Sequence, residues 1–247
     1  MINWQHVDTV LLDMDGTLLD LHYDNHFWLE HLPKHYAKLH SRDFASAKQE
    51  LLAKIQSQRG TLNWYCLDYW SDELQLDIVA LKAEIKHLIT IRPFVDEFLH
   101  RLNVGPQHVI LVTNAHRDGL DIKLEHTGID RWFDHIIASH DYQLPKEDPD
   151  FWQHLNRQHP FDPERTLLID DNQTVLGSAQ THGIEHLITL LQPDSKQAAR
   201  ERTDFPGILH FDEILPQLCP IPRSAPASLL NTLQDSQYLA TQSLTDE

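Results

Sequence analysis

Two carboxylates near the start of the chain have the spacing and surroundings of a cation site. Asp13 and Asp15 are separated by one residue and are followed by Gly16 and Thr17, directly after the apolar run of residues 7–12. Unpaired buried carboxylates are costly, so two of them beside a permissive glycine and a hydroxyl favour a bound cation. Oxygen ligands of this kind suit Mg²⁺. The stretch therefore predicts a magnesium site.

Polar side chains also follow three later apolar runs. They are Thr113 and Asn114, Lys146, and Asp170 with Asp171. Because the carboxyl ends of parallel strands lie at one edge of a sheet, residues far apart in sequence converge there on one crevice. Carboxylates with a cation, a hydroxyl and an ammonium group neutralise and orient the oxygens of a phosphoryl group. We therefore predict phosphoryl chemistry, with Thr113, Asn114 and Lys146 as the candidate phosphate ligands.

The residue types also indicate which residue would carry out each step of such a reaction. An aspartate carboxylate can attack phosphorus, which gives an aspartyl-phosphate and splits one hard hydrolysis into two easier steps. We expect Asp13 to be this nucleophile, and Asp15 to protonate the leaving oxygen and then deprotonate the attacking water. We expect Asp13, the backbone carbonyl of Asp15 and Asp171 to hold Mg²⁺. Asp170 would join them directly or through water.

A parallel sheet is needed to bring these residues together, and the apolar pattern predicts one. Short runs with β-branched residues predict strands at residues 7–12, 109–112, 135–139, 166–169 and 187–191. Helical patterns lie between the later runs. Strands that alternate with helices imply right-handed crossovers and a sheet covered on both faces. We therefore predict an α/β fold with a Rossmann-like, doubly wound parallel sheet.

One long segment interrupts this alternation. Between residues 24 and 88, apolar residues recur at helical spacing without a strand pattern. We interpret residues 22–91 as an all-helical cap domain, inserted into a core of residues 1–21 and 92–219. Residues 220–247 are first proline-rich and then polar, which is typical of a flexible tail. A short docking helix over residues 229–239 is the alternative.

Composition excludes several classes of function. The chain has 247 residues and a net charge of −17, so it lacks the basic surface that broad nucleic-acid binding needs. Cys66 and Cys219 are its only cysteines, which excludes a disulfide framework and suits a reducing cytoplasm. No basic segment with an apolar signal core begins the chain, and no apolar run approaches about 18 residues. We expect neither secretion nor a membrane span.

The order and spacing of these motifs resemble the haloacid dehalogenase superfamily of phosphatases. Its first motif, Asp-x-Asp-Gly-Thr, matches residues 13–17, and its later motifs match Thr113, Lys146 and the pair Asp170-Asp171. The helical insertion resembles the superfamily's C1 cap. The stretches similar to the bacterial GMP/IMP nucleotidase subfamily include LNWYCLDYWSDEL (62–74), TNAHRD (113–118), KLEHTG (123–128) and PKED (145–148). The resemblance implies a Mg²⁺-dependent 5′-nucleotidase whose substrates are small phosphate monoesters with 6-oxopurine bases.

The insertion carries the candidates for substrate specificity. Trp64, Leu67, Trp70 and Leu74 share one helical face, which we interpret as core packing. The candidates for base or ribose contacts are Tyr65 and Tyr69, on another face, and Asp24 and Asn25 near the start of the insertion. Aromatic faces can stack on a purine, and packing explains the two tyrosines equally well.

Other functions fit parts of the same pattern. A β-phosphoglucomutase-like phosphomutase would share the core and the insertion but would isomerise its substrate. A phosphatase for sugar phosphates or other nucleotides would differ only in its substrate profile. A phospho-accepting receiver-like module also has an acidic cluster, a threonine and a lysine at the ends of parallel strands. Asp15 and the large insertion make this alternative less favourable. A dehalogenase is disfavoured, since its displacement leaves no alkoxide for Asp15 to protonate.

Overall fold

The computed structural model describes residues 2–217, and a six-stranded sheet forms its centre. The strands are β1 Thr9–Leu12, β2 His108–Thr113, β3 His135–Ala138, β4 Thr166–Ile169, β5 His186–Leu190 and β6 Gly207–Ile208. Their order is β3-β2-β1-β4-β5-β6, and every pairing is parallel. In the registered pairs, Leu12 lies opposite Leu111 of β2 and Ile169 of β4. β1 is therefore central, and its carboxyl end is flanked on both sides.

Helices connect the strands. The α-helices of residues 2–217 are α1 His22–His26, α2 Leu32–Leu39, α3 Phe44–Ser57, α4 Leu67–Leu74, α5 Ile78–Glu84, α6 Val95–Val104, α7 Arg117–Thr127, α8 Pro149–Gln158 and α9 Gln173–His182. A π-helical turn, Phe27–His31, joins α1 to α2. The Asp43, Asp77 and Asp148 side chains cap the N-termini of α3, α5 and α8. Gly128 and Gly183 adopt the left-handed conformation that ends α7 and α9.

The strands are buried on both faces, and alternate residues of a strand serve opposite layers of the core. In β1, Val10 and Leu12 belong to the layer that contains Phe98 of α6. Leu11 belongs to the other layer, with Trp152 of α8 and the apolar residues of α9. Helices therefore cover both faces of the sheet, and the predicted doubly wound α/β architecture is confirmed.

The helical insertion, residues 22–88, lies between β1 and β2 and contains α1 to α5. Its buried residues, such as Leu51 and Trp70, are continuous with the core layer next to α6. The chain leaves and re-enters the sheet at neighbouring points. Leu19 pairs with Ile91, and the Asp20 N–H donates to the carbonyl of residue 90 at 3.0 Å. The insertion is thus attached through a paired connection.

Strand β6, the C-terminal tail and the domain boundaries differ from the features confirmed above. β6 was not predicted, because two residues offer no periodicity to recognise. The predicted tail, residues 220–247, lies outside the described residues, as do residues 218 and 219 at the end of the predicted core. The domain boundaries stay a prediction. Within residues 2–217, no helix has the length and apolar character to cross a membrane.

Candidate active site

The carboxyl ends of β1, β2 and β4 bring the predicted polar residues to one edge of the sheet. Thr113 is the last residue of β2, Asp13 directly follows β1, and Asp170 directly follows β4. The Asp13 N–H donates to the Ile169 carbonyl at 3.0 Å, which continues the pairing of β1 with β4. Lys146 reaches the same edge from the loop between β3 and α8. The predicted residues therefore converge.

Lys146 lies among these carboxylates and is buried. Its Nζ donates to Asp13 Oδ1 at 2.6 Å, to Asp170 Oδ2 at 2.7 Å and to the Val112 carbonyl at 3.0 Å. Burial alone would lower the pKa of Lys146, but the two carboxylates outweigh burial and raise this pKa above its usual value. Trp152 Nε1 donates to the Lys146 carbonyl at 3.0 Å and so fixes the main chain there. Lys146 is therefore charged and bridges the two carboxylates.

Asp13, Asp170 and Asp171 form a crowded carboxylate group, in which one oxygen of each lies within 4.8 Å of the others. Burial raises the pKa of Asp170 to about 7 against the opposing charge of Lys146. Burial, with the charges of Asp13 and Asp170, also raises the pKa of Asp171 well above its usual range. Crowded anionic oxygens are the donor set of a hard divalent cation, which would offset this repulsion. The residues present therefore fit Mg²⁺.

The turn after Asp15 lets the chain pass close to Asp171. Gly16 has a φ of +83°, and a Cβ added there would lie 2.9 Å from the Asp171 Cγ. Thr17 Oγ1 accepts a hydrogen bond from the Asp171 N–H at 3.1 Å. Arg200 Nη1 donates to the Asp171 carbonyl at 2.6 Å. The glycine and the threonine of the motif thus position Asp171 against the first strand.

Asp15 faces a lysine that sequence reasoning missed. Lys123 Nζ donates to Asp15 Oδ1 at 2.6 Å and to Asp24 Oδ2 at 2.8 Å. Lys82 Nζ donates to Asp24 Oδ1 at 2.8 Å and lies 4.5 Å from the centre of the Phe27 ring. Both lysines are buried. Asp15 and Lys123 belong to the core, whereas Asp24 and Lys82 belong to the insertion, so the network joins the two.

Burial and these charges set the protonation of the network. Burial raises the pKa of Asp15 to about 6, with Lys123 opposing the rise and the charges of Asp24 and Asp13 adding to it. Burial would also raise the pKa of Asp24, but Lys123 and Lys82 outweigh burial and lower this pKa below its usual value. A carboxyl group with a pKa of about 6 can give and take a proton near neutral pH. Asp15 is thus suited to acid/base work, while Asp24 stays anionic.

Glu147, also missed, joins the loop of Lys146 to the insertion. Its carboxylate accepts hydrogen bonds from the Tyr65 hydroxyl at 2.6 Å, from Asn114 Nδ2 at 2.9 Å and from Asn172 Nδ2 at 3.1 Å. Asn114 Oδ1 in turn accepts from the Lys146 N–H at 2.9 Å. The only sequence signal for Glu147 was its position directly after Lys146. The carboxylate fixes the loop that delivers the lysine.

A cavity of about 640 Å³ opens between this edge of the sheet and the insertion. Its lining includes every predicted catalytic, phosphate and metal residue: Asp13, Asp15, Thr113, Asn114, Lys146, Asp170 and Asp171. The insertion contributes Asp24, Asn25, Trp28, Arg59, Trp64, Tyr65, Leu67 and Lys82. Pockets of roughly 300–1,000 Å³ are the size that small organic ligands occupy. The cavity is therefore a substrate-sized site between the carboxylates of the sheet edge and the side chains of the insertion.

Three of the four specificity candidates line the cavity, yet each is already bound to protein. Asp24 holds the two lysines, and Tyr65 holds Glu147. Asn25 Nδ2 donates to Asp194 Oδ2 at 2.7 Å, which ties the insertion to the loop after β5. Through these contacts, the three residues help to hold the insertion against the core.

The fourth candidate, Tyr69, packs differently from the other three. It is not among the described residues that line the cavity, and its ring meets the Trp70 ring edge-on with centroids 5.0 Å apart. Tyr69 thus packs within the insertion, and its contact with substrate stays a prediction. Trp64, which we had interpreted as core packing, is half-buried and lines the cavity.

Fold and site together define a Rossmann-like α/β enzyme with an acidic centre and a buried lysine at the carboxyl edge of its sheet. The family model of the haloacid dehalogenase-like hydrolases matches residues 10–189. The chain belongs to this family, and the prediction of a hydrolase is confirmed.

Known proteins resemble the chain at two levels. GMP/IMP nucleotidase YrfG of Escherichia coli (strain K12) is 39% identical over 217 residues, which cover 88% of this chain and 98% of the relative. Among solved structures, a HAD phosphatase from Thermococcus onnurineus has a TM-score of 0.70 at 18% identity and covers 84% of this chain and 95% of its own. A putative β-phosphoglucomutase from Thermotoga maritima has a TM-score of 0.55 at 17% identity, with coverages of 74% and 85%. The structural likenesses show the fold alone, while the nucleotidase confirms the predicted subfamily resemblance.

Proposed function

We propose that the chain is a Mg²⁺-dependent phosphomonoesterase that hydrolyses the purine nucleoside 5′-monophosphates GMP and IMP through an aspartyl-phosphate. As an enzyme of its family it acts on phosphoric monoesters. The observation that carries the proposal is the pairing, in one cavity, of Asp13 beside a buried lysine with Asp15, whose pKa is raised to about 6. The likeness to a GMP/IMP nucleotidase over nearly the whole relative supports the choice of substrate.

Asp13 is the proposed nucleophile. Its Oδ1 accepts from Lys146, whereas Oδ2 is buried and has no hydrogen-bond partner in the part of the chain that the structure describes. In the first step, Oδ2 forms a bond to phosphorus as the bond from phosphorus to the ester oxygen breaks. In the second step, water attacks phosphorus and the bond from Oδ2 to phosphorus breaks. Inorganic phosphate and the nucleoside are the products.

Asp15 is the proposed acid and base of the two steps. It gives its proton to the ester oxygen as the nucleoside leaves, and it takes a proton from the water that attacks afterwards. Lys123 holds its carboxyl group by the 2.6 Å hydrogen bond and thereby fixes the direction from which the proton is delivered. The helical insertion is the proposed cap, which excludes bulk water from the cavity during transfer.

The proposed metal ligands are Asp13, Asp170, Asp171 and the backbone carbonyl of Asp15. Mg²⁺ would supply positive charge to the phosphoryl oxygens, which lowers the repulsion that an attacking carboxylate meets. Asp171 is held toward this site by Thr17 and Arg200. The same cation would remove the repulsion among the three carboxylates described above.

Thr113, Asn114 and Lys146 are the proposed phosphate ligands. Thr113 Oγ1 accepts from the Ala115 N–H at 3.0 Å, so its own proton is left to donate to a phosphate oxygen. Both ends of the Asn114 side chain are used within the protein, so we propose that Asn114 contacts phosphate through its main chain. Lys146 supplies charge from a buried position, where electrostatic interactions are strong.

Arg59 is the proposed reader of the base. It is an exposed residue at the cavity rim and forms no ion pair with any residue of the described range 2–217. A guanidinium can donate to O6 and N7 of a 6-oxopurine, whereas adenine presents an amino group at the first of these positions. The Trp64 ring in the same wall offers a surface on which a purine can stack.

The first test is phosphate release from a panel of 5′-nucleotides and sugar phosphates, measured with Mg²⁺ and with chelator. We expect release to require Mg²⁺ and to be fastest with GMP and IMP. Metal-dependent release that favours sugar phosphates or pyrimidine nucleotides would keep the chemistry and reject the purine assignment. Isomerised product without net phosphate release would indicate a phosphomutase. Stable phosphorylation by acetyl phosphate without turnover would indicate a receiver-like module.

The second test addresses the base. In the Arg59→Gln enzyme we expect kcat/KM for GMP and IMP to fall about tenfold or more, because a bidentate base contact is worth roughly 1–3 kcal/mol. The value for AMP should change much less. Arg42→Gln is the matched control, since Arg42 is another exposed arginine of the insertion and pairs with Glu50. An equal loss for all three nucleotides would reject Arg59 as a reader of the base.

From the sequence we also predict that the protein acts in the cytoplasm and does not bind nucleic acid.

A further inference from the structure

A second group of metal-ligating side chains lies where the insertion meets the core. Cys66, His116 and His140 each offer one ligand atom, and these atoms lie within 4.8 Å of one another. Cys66 directly precedes α4 of the insertion, His116 directly precedes α7, and His140 follows β3. We propose that these three residues form a Zn²⁺ site that ties the insertion to the core. This site is separate from the acidic centre and does not depend on the proposed substrate.

The two histidines present ring nitrogens that make no hydrogen bond to the described residues. Both ring nitrogens of His140 and Nδ1 of His116 are buried without a hydrogen bond to any described residue. The two rings meet edge to face, with centroids 4.9 Å apart. Buried polar atoms without partners are costly, and a metal ion would use one lone pair of each ring. Neutral imidazole nitrogens of this kind are common metal ligands.

The third donor is the sulfur of Cys66. It accepts a hydrogen bond from the Tyr69 N–H at 3.5 Å and caps the N-terminus of α4. Cysteine binds metals in its thiolate form. One thiolate and two imidazoles are ligands that select Zn²⁺, whereas Mg²⁺ prefers oxygen. The donor atoms therefore distinguish this site from the acidic centre.

Two aspartates lie next to His116 of the proposed site. Asp68 Oδ2 lies 3.5 Å from His116 Nε2, and Asp118 Oδ2 lies 3.6 Å from His116 Nδ1. His116 can thus bind the ion through one nitrogen while a carboxylate faces the other, which is how metal-binding histidines are usually oriented. One thiolate and one carboxylate would balance the charge of Zn²⁺.

The site adjoins the active-site cavity. His116 lines the cavity, and Cys66 directly follows Tyr65, whose hydroxyl binds Glu147. A bound ion would hold the segment of Tyr65 against the core in addition to this hydrogen bond. The structure therefore assigns to Zn²⁺ a role in fixing the position of the insertion.

The test uses the full-length, reduced protein, freed of metal and then saturated with Mg²⁺, and titrates it with Co²⁺ as a spectroscopic substitute for Zn²⁺. We expect one Co²⁺ per chain, with thiolate-to-cobalt charge-transfer absorption and the visible bands of tetrahedral coordination, and displacement by Zn²⁺. In Cys66→Ser the charge-transfer absorption should vanish, and Zn²⁺ affinity should fall about 100-fold or more, beyond the loss from an outer-shell change. Cys219→Ser should leave both unchanged.

Two histidine variants test whether His140 is a ligand of the proposed Zn²⁺ site. His140→Ala should weaken Zn²⁺ binding and change the tetrahedral bands. His35→Ala is the matched control, because His35 lies with His31 and Glu84 in a cluster without sulfur. Absence of charge-transfer absorption in the wild type, or its survival in Cys66→Ser, would overturn the proposal.

Should Cys66→Ser fail to fold, wild-type protein still decides the question. Alkylation of Cys66, followed by peptide mapping, should slow in proportion to the Zn²⁺ bound. An unchanged alkylation rate at saturating Zn²⁺ would reject the site.

Discussion

The Asp13→Asn enzyme is expected to release phosphate from GMP and IMP on the order of 10⁴-fold more slowly than the wild type, or not at all. An amide is not a nucleophile toward phosphorus, and losing the nucleophile of a covalent mechanism removes the whole first step. The expected defect is in kcat. Steady-state phosphate release, together with a search for the labelled aspartyl-phosphate in acid-quenched samples, measures it. The label should be found in the wild type and should be absent from the variant.

Folding of Asp13→Asn should be intact. The substitution removes one charge from three crowded carboxylates, while Lys146 keeps Asp170 and the Val112 carbonyl as acceptors. We expect a melting temperature equal to or above that of the wild type. Asp96→Asn, an exposed aspartate of α6 outside the cavity lining, is the control for the substitution and the preparation. Full activity of Asp13→Asn in a preparation free of contaminating phosphatase would disprove the nucleophile assignment.

The second large effect concerns Asp15→Asn. With nucleotide substrates we expect a loss of about 10²- to 10⁴-fold, since a positioned general acid contributes that much when the leaving group is a poor one. With p-nitrophenyl phosphate the leaving group needs little protonation, so the first step should largely recover. The second step still lacks its base. Stopped-flow measurement should therefore show a burst of one nitrophenolate per chain, followed by slow turnover.

The nucleotide substrates provide the internal control. No burst of nucleoside should appear when Asp15→Asn acts on GMP, because there the first step is slowed. Lys123 keeps Asp24 as its partner in this variant, so a gross rearrangement of the network is not expected. An equal loss for both kinds of substrate, without a burst, would show that Asp15 does not act as acid and base.

The sequence predicted the fold and the centre of the site well, because both follow from strong local patterns. The residues at the carboxyl ends of the strands were predictable, since a parallel sheet fixes where such ends meet. Asp13 and Asp170 lie beside each other for that reason, although 156 residues separate them in the chain. Lys146 followed from its place after a strand, but only together with the other motifs.

The buried polar partners were harder to predict. A lysine in a helix is usually a solvated charge, so the residue type alone does not mark Lys123 or Lys82 as buried. One signal was available, because Lys123 lies three residues after the buried Leu120 and therefore on the inner side of α7. Tyr69 illustrates another limit, because helical periodicity identifies a face of the helix but does not say whether that face meets a cavity or a neighbouring ring.

The zinc proposal lies wholly outside what spacing can indicate. Cys66, His116 and His140 come from three separate segments, and no two of them are close in sequence. The pairing of β2 with β3 brings the two histidines together, and the contact between the insertion and the core adds Cys66. Interface positions of this kind depend on how two units pack, and that packing has no local sequence signature.

The paired connection at Leu19 and Ile91 affects how the insertion can change during evolution. Because the chain departs from the sheet and returns to it at adjacent backbone positions, the insertion can be lengthened, shortened or exchanged without changing the order of the strands. Asp13 and Asp170 would keep their places through such an exchange, whereas the wall that contains Arg59 would be renewed. Selection can therefore change the choice of substrate while Asp13 and Asp170 keep their places on the sheet.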